Sequence, residues 1–153
     1  MTRSPLKRST KPLKRSRIRP LSMSQVAIRK RTCNTLWGQC VHALCPLGCV
    51  ICHYKGDENQ ACHLTGKGSN PFIRHELMNG AIMCHTHHAD YDGRSGQAAQ
   101  KNAEAYMENH YPLHWKWKQD HEHDRCRRIP LSEVEIELRA TLEAIEKQKN
   151  VKT

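Results

Sequence analysis

Cys49 and Cys52 are separated by two residues, as are Cys84 and His87, and 31 residues lie between the inner pair Cys52 and Cys84. Zinc takes about four soft or borderline ligands in a tetrahedron, and two ligands spaced this way form its usual half-site. The four residues therefore predict one structural zinc. Cys33, Cys40, Cys45 and Cys62 lie close enough in sequence to replace a member or to complete another site. His121, His123, Asp124 and Cys126 form a further group, readable either as ligands or as an exposed polar turn. Beside the second half-site, His88 and Asp92 are four residues apart. On a helix that spacing puts both on one face, where they could reach one catalytic ion.

The chain has eight cysteines in 153 residues. A disulfide-linked secreted domain needs an export route, and no apolar run follows the basic N-terminal residues as in a signal peptide. No stretch approaches the roughly 18 apolar residues of a membrane span. The expectation is a cytoplasmic, reducing setting without membrane contact, in which clustered Cys and His act as metal ligands. The core is expected to be small: 37% of residues are hydrophobic and there is one phenylalanine. Metal binding would then contribute folding free energy directly.

Positioning these ligands calls for an α+β domain. The predicted order is a Cys49–Cys52 hook, a short strand in QACHLTG (60–66), a loop, a second short strand at Ala81–Met83, and a helix from near Cys84 carrying His87, His88 and Asp92. Gly93 and Gly96 make that helix short. Residues 33–52, with Gly38, Pro46 and Gly48, read as loop. A second helix fits 97–110, where Ala99, Ala103, Tyr106 and Met107 share a face. Trp115 and Trp117 alternate with basic residues, and either cover the core or stack on bases. Ser132 and Glu135 fit a capping box, and Val134, Leu138, Leu142 and Ile145 follow helical spacing, so a helix over 132–150 is expected to lie on the domain. A dimer or partner helix is the alternative reading of that segment.

Charge divides the chain. The net charge is +10, yet residues 1–31 hold eleven Lys and Arg and no Asp or Glu, leaving 14 basic and 15 acidic residues in 32–131 and the C-terminal segment together. PLKRS occurs at 5–9 and again at 12–16. Prolines, serines and like charges predict a disordered leader over 1–31, apart from a short helix begun by Ser24 and running to Arg31. Lys7, Arg8, Lys14, Arg15, Arg17, Arg19, Arg29, Lys30 and Arg31 would attract a polyanion in a salt-dependent manner. Arg74 is a further candidate contact. A merely solubilising leader is the alternative.

The segment from Cys49 to Asp92, about 45 residues, resembles the zinc-knuckle subclass of the HNH nuclease family, whose fold is a two-stranded hairpin followed by a helix. The resemblance implies a ββα-metal core with a structural zinc, followed by additional helices over a domain spanning 32–131. It implies that His63, in ACHLTG, activates water, and that Asn79, five residues before Cys84, fixes the loop and orients the His63 ring. His88, directly after the second half-site, takes the family's last histidine position and holds a divalent ion with Asp92. Cys62 stands where relatives often carry a ligating Asp or His, and is a further candidate for that ion. The implied activity is metal-dependent hydrolysis of DNA, duplex or branched, with RNA not excluded, using Mg²⁺, Mn²⁺, Ni²⁺ or Zn²⁺. The leader resembles those of small bacteriophage and prophage HNH proteins, implying a role in a bacterial host cell with recombination or packaging partners, or as a homodimer. The competing expectation is a catalytically inactive zinc-dependent nucleic-acid-binding or nuclease-accessory protein.

Overall fold

In a computed structural model, residues 22–66, 68, 70–124 and 129–151 are described. They form a mixed α+β unit of five α-helices and one two-stranded sheet. The elements run α1 (Met23–Leu44), β1 (Gln60–His63), a 3₁₀ turn (Leu77–Asn79), β2 (Gly80–Met83), α2 (His85–Tyr91), α3 (Gln97–His110), α4 (Pro112–His121) and α5 (Leu131–Val151). Among the described residues no helix is long and apolar enough to cross a membrane.

The sheet is small, but its two faces organise everything else. β1 and β2 pair antiparallel with Gln60 opposite Met83, Ala61 opposite Ile82, Cys62 opposite Ala81 and His63 opposite Gly80. Side chains alternate between the faces of a strand. Accordingly Cys62, Ala81 and Met83 join Leu64, Tyr91, Ala103 and Met107 in one apolar cluster with α2 and α3. Ile82 and Ala61 meet Leu36, Trp37, Val41 and Leu138 in a second cluster with α1 and α5.

The longest departure from the sequence reading is α1. A helix starting at Ser24 and ending near Arg31, followed by loop, was expected; instead one 22-residue helix runs to Leu44. Ser22, not Ser24, caps it: its hydroxyl accepts from the Gln25 amide, while the Gln25 side chain accepts from the Ser22 amide. Ser24 to Arg31 are thus helical as expected, Ser22 and Met23 of the expected disordered leader join them as cap and first residue, and 1–21 lie outside the described residues. The helix continues because Cys33, Leu36, Trp37, Cys40 and Val41 recur at helical spacing and are all buried. Cys33 and Cys40 act there as small apolar side chains, a common fate of free cysteine. Their thiols donate to the Leu131 and Leu138 carbonyls of α5. Gly38, taken as a loop signal, lies inside α1, where an added Cβ would sit 3.9 Å from the Ala61 Cβ.

The C-terminal helix lies on α1 through Leu131, Val134, Leu138 and Leu142. It begins at Leu131, one residue before the expected cap Ser132, and Glu135 pairs with Arg29 and Arg139 instead of closing a capping box. Trp115 and Trp117, for which no element was expected, lie on α4. Trp115 covers the α2–α3 cluster, and Trp117 stacks on His121 with ring centroids 4.7 Å apart.

Candidate functional site

The Cys49–Cys52 hook is shaped by its backbone. The Cys49 amide donates to the Tyr54 carbonyl and the His53 amide to the Cys49 carbonyl, with His53 at φ 58° closing the turn. Gly48 has φ 86°, and a Cβ there would collide with the Tyr54 carbonyl, so both conformation and space call for glycine. The hook is tied to the sheet by the Val50 amide, which donates to the Ile82 carbonyl, and to the start of α4 by the Tyr111 hydroxyl, which donates to the Val50 carbonyl. Opposite it, Cys84 caps α2 and His87 lies within the first turn.

These pieces bring Cys49, Cys52, Cys84 and His87 together, with all four candidate ligand atoms within 4.8 Å of one another. His87 Nδ1 lies 3.2 Å from Cys84 Sγ and 3.5 Å from Cys49 Sγ, while Cys52 Sγ is 3.9 Å from Cys84 Sγ. Bonds of about 2.3 Å to sulfur and 2.0–2.1 Å to nitrogen at a tetrahedral angle put ligand atoms roughly 3.5–3.8 Å apart. The Cys3His group thus has the donors and spacing to hold a metal ion. Cys33 and Cys40 are committed to α5 and do not enter it. Among the described residues His121, His123 and Asp124 form no such group, and Cys126 lies outside the described residues. His121 Nδ1 instead donates to the Trp117 carbonyl.

Burial alone would raise the Cys49 thiol, but amides of Cys52, Cys84 and Ile51 directed at its sulfur outweigh that and bring it from 9.0 down to about 6. A thiol lowered by the fold contributes stability that is complete above its unfolded value and lost as pH falls through its folded one. Metal retention has the same sign, because the thiolate is the ligand. We expect the apparent metal affinity to weaken as pH falls, most steeply once protons compete for the Cys49 sulfur at about pH 6 and below. Competition with a chromophoric chelator of known affinity measures it; an equal dissociation constant at about pH 5 and pH 8 would refute the assignment.

A second group lies on the neighbouring face of α2. Cys62, His88 and Asp92 also have candidate ligand atoms within 4.8 Å of one another. His88 Nε2 is 3.3 Å from Asp92 Oδ2, and its Nδ1 is 3.0 Å from Gln60 Oε1. With Nδ1–H donating to Gln60, Nε2 is the nitrogen that meets Asp92: protonated, it pairs with the carboxylate, and deprotonated, it is left free to bind an ion together with that carboxylate, an outer residue having fixed its tautomer. Arg94 also touches Asp92 Oδ2, at 3.2 Å.

His63 ends β1, on the face opposite Cys62. Its ring stacks on Trp37 of α1 with centroids 3.8 Å apart, and its Nε2 lies 2.9 Å from the Arg74 carbonyl. A carbonyl only accepts, so Nε2 carries the hydrogen and the neutral ring has its lone pair on Nδ1. His63 and Asp92 line one cleft of about 390 Å³, with Thr65, Tyr91, Glu104 and Lys118. Arg74 contributes to this site through its backbone carbonyl, and the residue also lines a separate cavity with Lys30 and α5. Arg29, expected at a polyanion, is paired with Glu135 at 3.4 Å. Arg31 is exposed, whereas Lys7, Arg8, Lys14, Arg15, Arg17 and Arg19 lie outside the described residues.

Asn79 does not touch His63 in any described hydrogen bond but fastens the loop that does. Fully buried, it accepts from the Thr65 amide at 2.7 Å and donates to the Thr65 and Ile73 carbonyls at 3.3 and 3.2 Å. Ile73 precedes Arg74, whose carbonyl holds the imidazole. Deleting a buried partner leaves each opposing group unsatisfied at about 1–3 kcal/mol. We expect Asn79→Ala to cost roughly 3 kcal/mol in urea unfolding while metal content is kept; a loss below about 1 kcal/mol would show that other contacts hold the loop. Farther along, Asn70 donates to the carbonyls of His121, Glu122 and Asp124, anchoring the same loop to the end of α4.

In comparisons with family models, curated proteins and solved structures, no match to this chain was found. The sequence had singled out the Cys3His set, His88 and Asp92 by spacing, and His63 and Asn79 only through the family resemblance. It missed Trp37, Gln60 and the Arg74 carbonyl, because stacking, amide orientation and backbone acceptors leave no residue-type signal.

Proposed function

We propose that this chain is an HNH-type nuclease that hydrolyses DNA phosphodiester bonds in a metal-dependent reaction, with β1, β2 and α2 as its ββα core. The observation that carries the reading is the convergence of His63 and Asp92 on one cleft, with Asp92 also belonging to the Cys62/His88/Asp92 group. Hydrolysis needs a base for the attacking water and positive charge at the phosphate. His63 would take the water proton on Nδ1, near physiological pH. Its ring is held for this by Trp37 and by the Arg74 carbonyl, which fixes the proton on Nε2. Asn79 acts as a positioning residue through the loop.

A divalent ion held by Cys62, His88 and Asp92 would polarise the phosphate and stabilise the departing oxygen. Thiolate and imidazole donors favour Zn²⁺, Ni²⁺ or Mn²⁺ over Mg²⁺. Zinc is the ion we assign to the Cys3His group, on its donor set. The leader residues Lys7 to Arg19 are proposed to add salt-dependent attraction to the nucleic acid.

One observation favours a second reading. Cys62 is fully buried, and a soft ligand in the second group suits a further structural ion, as in an inactive nucleic-acid-binding module. A screen of duplex, single-stranded and branched DNA, and of RNA, against Mg²⁺, Mn²⁺, Ni²⁺ and Zn²⁺ separates the two. Cleavage by the wild type that is lost in His63→Ala supports the nuclease; binding without cleavage under every condition supports the module.

A further inference from the structure

We infer that Lys118 is a phosphate-binding residue of the His63–Asp92 cleft, an inference that rests on the nuclease reading. Lysine side chains are almost always solvated, yet that of Lys118 is 13% exposed. Its ammonium lies 4.2 Å from the Trp115 ring centroid and 5.5 Å from that of Tyr91. Tyr91 is itself fixed, its hydroxyl donating to the Leu64 carbonyl, directly after His63. The aromatic faces hold a cation in place without neutralising it. Glu104, at a single contact of 3.5 Å, is its carboxylate partner.

The position of this cation gives it a task. The cleft wall carries Asp92, Glu104 and Glu122, and among the described residues lining it Lys118 is the only lysine or arginine. A polyanion approaching His63 meets an acidic wall, so a fixed cation there lowers the cost of bringing a phosphate in. Thr65, on the same wall and next but one to His63, has a buried hydroxyl with no hydrogen-bond partner among the described residues. It offers a neutral donor within the same subsite. Lys116, two residues away, contrasts with Lys118: it is 74% exposed and pairs with Asp120 at i+4. The simpler alternative is that Lys118 only neutralises Glu104.

A diester with a single phosphate, bis(4-nitrophenyl) phosphate, isolates the cleft from the basic leader. Full-length, zinc-loaded protein with Mn²⁺ is the system. Lys118→Met keeps the aliphatic stem over the rings and removes the charge; Lys118→Gln is the second variant. We expect KM to rise about tenfold with kcat changed less than about threefold, in line with loss of one hydrogen bond to a charged group. Lys118→Arg should restore most of the loss, Lys116→Gln should match the wild type, and Glu104→Gln should not raise KM. Zinc content and the urea midpoint of the Lys118 variants should stay near wild type. An unchanged KM in both Lys118→Met and Lys118→Gln overturns the assignment while leaving the nuclease reading intact. So does a Glu104→Gln variant whose KM rises as much as theirs, which would make the ion pair structural. No turnover by the wild type with any divalent ion overturns the nuclease reading and this inference together.

Discussion

Stripping metal from the Cys3His group is expected to unfold the middle of the chain. Structural zinc in small domains contributes about 10–16 kcal/mol at neutral pH, comparable to or larger than the 5–15 kcal/mol by which whole domains are stable. Here the apolar alternative is thin. Two modest clusters divide the buried side chains, and cysteine supplies Cys33, Cys40, Cys49 and Cys62 among them. The Cys49–Cys52 hook contributes Cys49 and Val50 to one cluster, with Ile51 at its edge, and is tied down by one backbone hydrogen bond to β2 and by the Tyr111 hydroxyl. Without an ion, nothing but these few contacts joins the hook to Cys84 and His87 of α2. A strong chelator, or Cys49→Ser or Cys84→Ser, should abolish the cooperative transition and much of the far-ultraviolet helical signal. Cys33→Ser should keep its metal, because that thiol serves only α5. A metal-free chain that still unfolds cooperatively at the same urea concentration would show that the group is not structural.

The same contrast between cysteines explains what could be read in the sequence. Cys49, Cys52, Cys84 and His87 were legible because metal ligation imposes a spacing that survives any surrounding fold. β1, β2 and α2 followed from them, being the short elements that must carry the ligands. Cys33 and Cys40 were misread by the same habit: clustered cysteine suggests loop and metal, whereas here they occupy the buried face of α1. Trp37 and Leu36 complete that face, and the 3.6-residue period was present in 33–41 but was outweighed by Gly38. Helix α3 was legible to its ends, having a single apolar face and glycine before its start. α4 was not: HWKWK drew notice for its alternating tryptophans and basic residues, and Pro112, a first-turn residue, was not taken as the start of a helix.

The site divides along similar lines. Residue types fixed by chemistry could be picked out one by one, but their mutual support could not. Gln60 is an ordinary polar residue in sequence and becomes meaningful only opposite His88 Nδ1. Arg74 drew notice for its charge, whereas its carbonyl is the atom that sets the His63 tautomer. Lys118 looked like one cation in a basic-aromatic run until α3, α4 and the cleft brought Glu104, Trp115 and Tyr91 around it.

On the proposed nuclease reading, His63→Ala is expected to lower kcat for DNA cleavage by about 10³-fold, within the 10²–10⁴ range that general-base catalysis supplies. The substitution should be selective because His63 belongs to neither Cys/His group, so metal content should match the wild type. Its structural cost is the Trp37 stack, about 0.5–1.5 kcal/mol beyond area burial, together with the hydrogen bond to Arg74. The fold should therefore persist with a lower urea midpoint. Asp92→Asn makes the necessary comparison: it touches the second group, so its loss of activity should be accompanied by a changed dependence on Mn²⁺ or Ni²⁺ concentration. In His63→Ala that dependence should be unchanged, since the base and the ion are held by different residues. Raising pH supplies a further check, because hydroxide can partly replace a missing base and should narrow the gap between His63→Ala and wild type. Equal cleavage by pure His63→Ala and wild-type protein would remove His63 from the reaction and leave the Cys62/His88/Asp92 group to be explained by structural binding alone.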